Sequence, residues 1–382
     1  MARTTRPSAS RPPHQQPSRI LRLVAFAFVN GCGASGWVAI PDEITIVGAP
    51  SSRLIAVAVE GANGLTRSEV LEATSTDSEV AVFDEGRVQA LRPGSAVLSL
   101  TGDDGGVDVE VHVLDLSPFA TQVLGFAPGA GAGFGSERMP DVVLGPPKGG
   151  GELAGSFDVV SLGAAGRIEL GFDRVVGVDG RGADLAVFEN PFSIAGSERA
   201  FKEPGAIEVR SAEEWRRVET QAGLVPVLAG SSDSSIDPRD PNAGGDRAEL
   251  GSNRTFDAVA IVDGSTIASD ARSAGFDLDA VMLLHAVPVE VSSIEGAERK
   301  VTMRVGERRA APRFDALGPS GPVLRGLDAK LTLSSDGAVA ADCDLAKELE
   351  CEPILEAVQR GHATLKASYG PWTFELPIEV IP

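Results

Sequence analysis

Two separated stretches of this chain carry the same alternating pattern, and that repeat limits the folds open to it more than anything else. Gly94–Leu98 through Val113 aligns without a gap to Gly361–Leu365 through Val380. An apolar residue recurs at every second position: Val107, Val109, Val111 and Val113 in the first copy, Phe374, Leu376, Ile378 and Val380 in the second. A period of two puts those side chains on one face of an extended backbone and predicts half-buried strands. Upstream, Val88–Gly94 matches Leu355–Gly361 in the same register, and Ser75–Ala81 matches Ser334–Ala340 after an eight-residue offset. The second copy therefore carries an insertion, which contains Cys343 and Cys351. The pattern predicts two related β-modules flanking a middle region.

Composition agrees with an all-β reading. The chain has 382 residues, 43% hydrophobic, with 44 Gly, 25 Pro and few aromatics, enough for two or three domains with real cores. Few segments show a helical period, and no apolar run reaches the ~18 residues of a spanning helix. The middle region offers further strands at Arg167–Phe172, Asp184–Phe188, Ala206–Arg210, Trp215–Val218, Phe256–Val262 and Ala280–Leu284. These predict a β-sandwich of jelly-roll type rather than an α/β enzyme core.

Charge excludes one class of partner. Arg3, Arg6, Arg11, Arg19 and Arg22 all precede the first acid, and without them 29 bases face 54 acids. So acidic a body repels phosphate backbones, which argues against nucleic acid as a ligand.

The N-terminus reads as an export address. A basic stretch ending at Arg22 leads into the apolar run Leu23–Val29, then Asn30, Gly31 and Cys32. That is the layout of a secretory signal peptide over residues 1–31. Val29–Cys32 resembles the lipobox of bacterial lipoproteins, with Asn30 where a smaller residue is usual. The resemblance implies lipidation of Cys32, a short tether over 32–39 and anchoring to the outer membrane or cell surface. An ordinary signal with an incidental Cys is the competing reading. With Cys32 lipidated, Cys343 and Cys351 remain to form a structural disulfide in an oxidising compartment, the competing reading being a metal site, for which a nearby His or second Cys pair is lacking.

Thr74–Phe83 followed by Gly86–Leu98 resembles the bacterial Ig-like group 2 domain, which implies an Ig-like sandwich over about residues 40–115. Residues 291–382 form a diverged second copy. Between them, 117–290 resembles a group of uncharacterised bacterial cell-surface proteins through Gly182–Phe192, Ile236–Asp246 and Gly275–Val281. Glu208–Val218 resembles the Trp-bearing hairpin of discoidin-like, galactose-binding jelly rolls, where Trp215 either offers a face to a sugar or packs the core.

The acidic loops admit two readings. Asp184, Glu189, Asn190, Asp237, Asp240, Asp246, Asp277 and Asp279 are oxygen donors of the kind calcium requires. Asp, Asn, Pro and Gly are equally the residues that build turns. The glycine-rich stretch Ala127–Gly135 lacks the spacing of a phosphate loop and reads as a flexible loop. The four His, at 14, 112, 285 and 362, are too scattered to suggest a zinc centre, and His112 is expected on an exposed strand face. No nucleophile or metalloprotease motif occurs. The expectation is a non-catalytic surface lipoprotein for adhesion or binding of a glycan or envelope component, with calcium as a stabilising ion. A glycan-active hydrolase and an envelope-assembly scaffold are the alternatives.

Overall fold

The repeated hairpins set the architecture. In the computed structural model, Gly94–Gly102 pairs antiparallel with Gly105–Leu114 so that Gly94 faces Val113. Gly361–Tyr369 pairs with Trp372–Ile381 so that Gly361 faces Val380, the same register. Val109, Val111 and Val113 are buried, as are Leu376, Ile378 and Val380 at the matching positions. Described residues run from 36 to 382, apart from 63, 104, 150–155, 190–191, 194–199, 202, 226–243, 252, 265–271, 344 and 346–351.

Each hairpin is the centre of a four-stranded sheet with the same order. The first runs Glu43–Val47, Gly105–Leu114, Gly94–Gly102, Glu72–Ser75, and the second Val301–Arg304, Trp372–Ile381, Gly361–Tyr369, Lys330–Ser335. The outer pairing beside the long strand is parallel in both, with Ile44 opposite Val111 and Val301 opposite Ile378. Smaller sheets face them: Ser51–Leu54, Arg87–Ala90, Ala81–Asp84 in one copy and Arg308–Ala310, Ile354–Ala357, Val339–Ala341 in the other. The first copy turns at Glu85 and Gly86, both at positive φ, as a tight two-residue hairpin demands. The second carries the inserted residues 342–353 at the same place.

The middle segment holds an antiparallel five-stranded sheet, in the order Gln122–Ala127, Arg167–Gly171, Ala258–Asp263, Gly205–Ser211, Glu214–Ala222. A four-stranded sheet, Val160–Ser161, Asp277–Leu283, Leu185–Glu189, Asp246–Ala248, completes the sandwich. Every strand expected there from sequence lies in one of these sheets. Ile168, Leu170, Ile207, Ile261, Leu185, Val187 and Leu278 are wholly buried in a shared core. Strand Leu185–Glu189 is buried on both sides, because Phe119, Ala186, Phe188 and Met282 form a second apolar layer behind it. The chain is all-β: among the described residues the only helical turns are two 3-10 turns, Ser136–Arg138 and Asp141–Val143.

The glycine-rich stretch at 127–135 corrects an expectation, for it is packed rather than loose. Gly129 N–H donates to Leu162 O at 2.8 Å, and Phe134 N–H to Arg272 O at 2.7 Å. A Cβ on Gly135, at φ 72°, would sit 1.9 Å from Val159 O, so the glycine is there for close backbone approach.

The residues from Ser35 to Pro382 form one compact unit. The core of the middle segment continues into the C-terminal sandwich through Val301, Met303 and Phe314. Thr45 N–H donates to Arg325 O at 3.0 Å, and Ile354 packs on Ile40, Ala58 and Leu65, which joins the two outer sandwiches to each other.

Candidate functional site

The acids picked out by sequence are mostly buried, and each described one with a hydrogen bond to the backbone pins a loop. Asp184 has no exposure; its Oδ1 accepts from Gly180 N at 2.8 Å and its Oδ2 from Leu250 N at 2.7 Å. Asp246 accepts from Leu224 N at 2.9 Å and Val225 N at 3.3 Å. Asp279 accepts from Lys148 N at 3.1 Å and Gly149 N at 2.7 Å. Asp277 accepts from the Ser161 hydroxyl. Burial raises the Asp277 carboxyl to about 6 and, against two backbone N–H bonds, the Asp279 carboxyl to about 7. Glu189 is buried at the end of its strand. Asn190, Asp237, Asp240, Cys32 and Cys351 lie outside the described residues. Cys343 is a disulfide cysteine.

Two groups among the described residues bring three carboxylate or imidazole donor atoms within 4.8 Å of one another: Asp179, Asp184 and Glu249, and Glu43, Glu110 and His112. Asp184 is the one member of the expected calcium set in either. In the first group Lys330 Nζ lies 2.7 Å from Asp179 and also bonds Glu249, so a protein ammonium supplies the positive charge.

Beside it lies a feature that sequence reading missed, a buried cluster drawn from all three segments. Arg53 of the first sandwich meets Asp328 at 2.5 Å and Glu352 at 3.2 Å, both from the C-terminal sandwich. Arg181 of the middle segment donates to the same acids at 2.9 and 3.2 Å. His285 Nδ1 lies 3.0 Å from Asp184 Oδ1, and its Nε2 3.9 Å from Asp328. All are at most 7% exposed. Burial opposes the Asp328 charge, but Arg53, Arg181 and His285 outweigh it and hold the carboxyl well below the usual carboxylate range. Burial likewise opposes the His285 imidazolium, and the bonds to Asp184 and Asp328 prevail and raise its pKa. Glu352 sits in the inserted loop, whose Asp342 also meets Arg67 at 3.2 Å. Asp342 and Glu352, the described acids at the two ends of the insertion, thus tie the C-terminal sandwich to Arg67 and Arg53 of the first. A cavity of about 140 Å³ lies against this cluster. No linear motif could announce the cluster, since its members are scattered from 53 to 352, and Arg53 sits in the polar strand Ser51–Leu54, whose burial only the fold reveals.

Trp215 lies outside the core. It stands half-exposed at the start of the edge strand Glu214–Ala222, after a tight turn whose Ala212 and Glu213 take φ of 49° and 68°. The Arg167 guanidinium carbon lies 4.8 Å from the centre of its ring and that of Arg210 5.8 Å. The ring borders an open cleft of about 480 Å³, together with Ser211, Glu214, Arg216, Asn253 and Arg254. An aromatic face among hydroxyl, amide and guanidinium groups can stack on a planar or sugar ring and hydrogen-bond its edge.

Glu203 is a second perturbed group. It is half-buried, its Oε2 has no hydrogen-bond partner, and burial followed by repulsion from Asp277 and Asp263 raises its carboxyl to about 8.

No protein-family model matches this chain, and no curated protein does. Among solved structures it is similar to the S-layer protein SbsC, at 13% identity and a TM-score of 0.19, over 85% of this chain and 37% of that one. A three-Ig fragment of titin aligns at 8% identity and a TM-score of 0.15, covering 88% of this chain and 95% of that one. The M60 catalytic domain with the CBM51-1 and CBM51-2 domains from Clostridium perfringens ZmpB aligns at 10% identity and a TM-score of 0.23, over 86% and 33%. The chain spans little more than a third of the S-layer chain it matches. Likeness at this level carries no argument about activity; the fold rests on the sheet pairing described above.

Proposed function

We propose that this chain is an exported, non-catalytic binding protein of the cell envelope, holding a glycan in the cleft beside Trp215. The half-exposed Trp215 ring bordering a cleft of about 480 Å³ with both polar and apolar walls carries the reading. The buried ion-pair cluster supports it, because it fixes three sandwiches as one unit and makes a stiff support for a site on the middle one. The export signal and Cys32 place the protein, in this reading, at the outer membrane or cell surface on a lipid. Cys343 then pairs with Cys351 inside the inserted loop. Binding is tested by titrating a panel of envelope and host glycans into wild type and Trp215→Ala. Affinity should fall about ten-fold or more on loss of the ring, with the melting point unchanged; no glycan bound by wild type would sink the proposal. Melting with calcium and then with chelator tests the metal role expected of Asp184, Asp246, Asp277 and Asp279. Metabolic labelling with a fatty acid, lost in Cys32→Ser, tests the anchor.

One observation favours a glycan-active hydrolase instead. Glu203, with its carboxyl raised to about 8 beside Asp263 and Asp277, has the property a general acid needs. Turnover of any glycan that disappears in Glu203→Gln while the fold persists would replace the binding reading with this one.

A further inference from the structure

We propose that Glu43, Glu110 and His112 form a site for a divalent transition-metal ion, zinc being the best fit, on the outer face of the N-terminal sandwich. Glu110 and His112 are two apart on strand Gly105–Leu114, so both point away from the core that Val109, Val111 and Val113 fill. The parallel strand Glu43–Val47 sets Glu43 directly opposite Glu110. His112 Nε2 then lies 3.6 Å from Glu43 Oε1 and 4.0 Å from Glu110 Oε2. Ligand atoms about 2.0–2.1 Å from a tetrahedral zinc are separated by about 3.3–3.5 Å, so small side-chain rotations close the set around an ion.

The surroundings prepare the imidazole. His112 Nδ1 lies 2.9 Å from Ser95 Oγ on the adjacent strand. With the Nδ1 proton donated to Ser95, the Nε2 lone pair faces the two carboxylates, the arrangement an outer hydrogen bond imposes on a metal-binding His. Arg325 Nε, 2.9 Å from the Glu43 Oε1 that faces His112, and Arg313 Nη1, 3.2 Å from Oε2, hold Glu43 from the C-terminal sandwich, so an ion at Oε1 would share that oxygen with Arg325. They orient Glu43, and their charge tempers the attraction for a dication. One imidazole and two carboxylates suit zinc and its neighbours, whereas calcium seeks six to eight oxygens. The repeat supplies an internal contrast. In the second copy Glu379 stands where His112 does and Pro377 where Glu110 does, and Glu379 bonds Lys300 at 2.6 Å. The site belongs to the first copy alone.

The test is calorimetric titration of zinc chloride into the full chain carrying Cys32→Ser, which removes a competing thiol. His112→Ala and Glu110→Gln are titrated in the same background. Both side chains face solvent, so the variants should melt with the parent. The expected result is one equivalent of zinc bound, weakened about ten-fold or more by each substitution, with no calcium binding that depends on His112. Zinc affinity unchanged in both variants, or no zinc bound by the parent, would overturn the proposal.

Discussion

Replacing Asp328 by Asn keeps the shape of the side chain and removes the charge around which the buried cluster is arranged. In the native protein Asp328 neutralises Arg53 at 2.5 Å and Arg181 at 2.9 Å, with His285 at 3.9 Å. The variant leaves those cations with Glu352 and Asp184. Removing one member of a buried ion pair costs about 3–5 kcal/mol, because the remaining charges stay out of water without compensation. At about 2 °C per kcal/mol for a unit of this size, the melting point should fall by about 6–10 °C. Thermal and urea denaturation followed by circular dichroism read this directly. A companion variant, Arg53→Met, Arg181→Met, Asp328→Leu and Glu352→Leu together, removes both signs at once and should recover most of the loss. A fall below about 1 kcal/mol in Asp328→Asn, the scale of an exposed pair, would refute the view that this cluster joins the sandwiches. The pH dependence carries a sign. His285 has a raised folded pKa, so its contribution is complete below about pH 6.5 and fades as pH rises through the folded value. Asp328→Asn should flatten that decline.

Three further outcomes follow from the same geometry. Glu203, Asp277 and Asp279 bind protons more tightly in the folded state, at about 8, 6 and 7, so they favour folding at low pH and cost stability as pH rises through those values. Glu203→Gln should therefore raise the melting point at pH 8.5 and leave it unchanged at pH 5; equal effects at both would remove Glu203 from the account. Gly135→Ala should destabilise by about 1–3 kcal/mol in a urea melt, through its left-handed backbone and the 1.9 Å approach to Val159 O; a neutral result would mean that the loop yields. Trp215→Ala should change stability by less than about 1 kcal/mol, as suits a ring outside the core; a loss of several kcal/mol would make it a packing residue after all.

The sequence determined by itself everything that depends on a period of two. Alternation at 107–113 and 374–380 specified which face of each strand is buried, and the ungapped match between copies carried over into the same hairpin register. The six strands expected in the middle segment also formed, but Leu185–Glu189, Ala258–Asp263 and Asp277–Leu283 are buried almost throughout, so short apolar runs rather than alternation marked them. Tertiary structure decided what those strands bring together. Asp184 and Asp279 read equally well as metal ligands or turn formers, and only packing showed the backbone N–H groups that they satisfy. Glycines at 127–135 look loose in one dimension, and close approach to neighbouring backbone makes them an ordered layer. Arg53, Arg181, Asp328 and Glu352 meet because three sandwiches dock, as Glu43 meets His112 because a parallel strand lies alongside. A period is a local property of the chain, whereas a charge cluster depends on distances that folding alone creates.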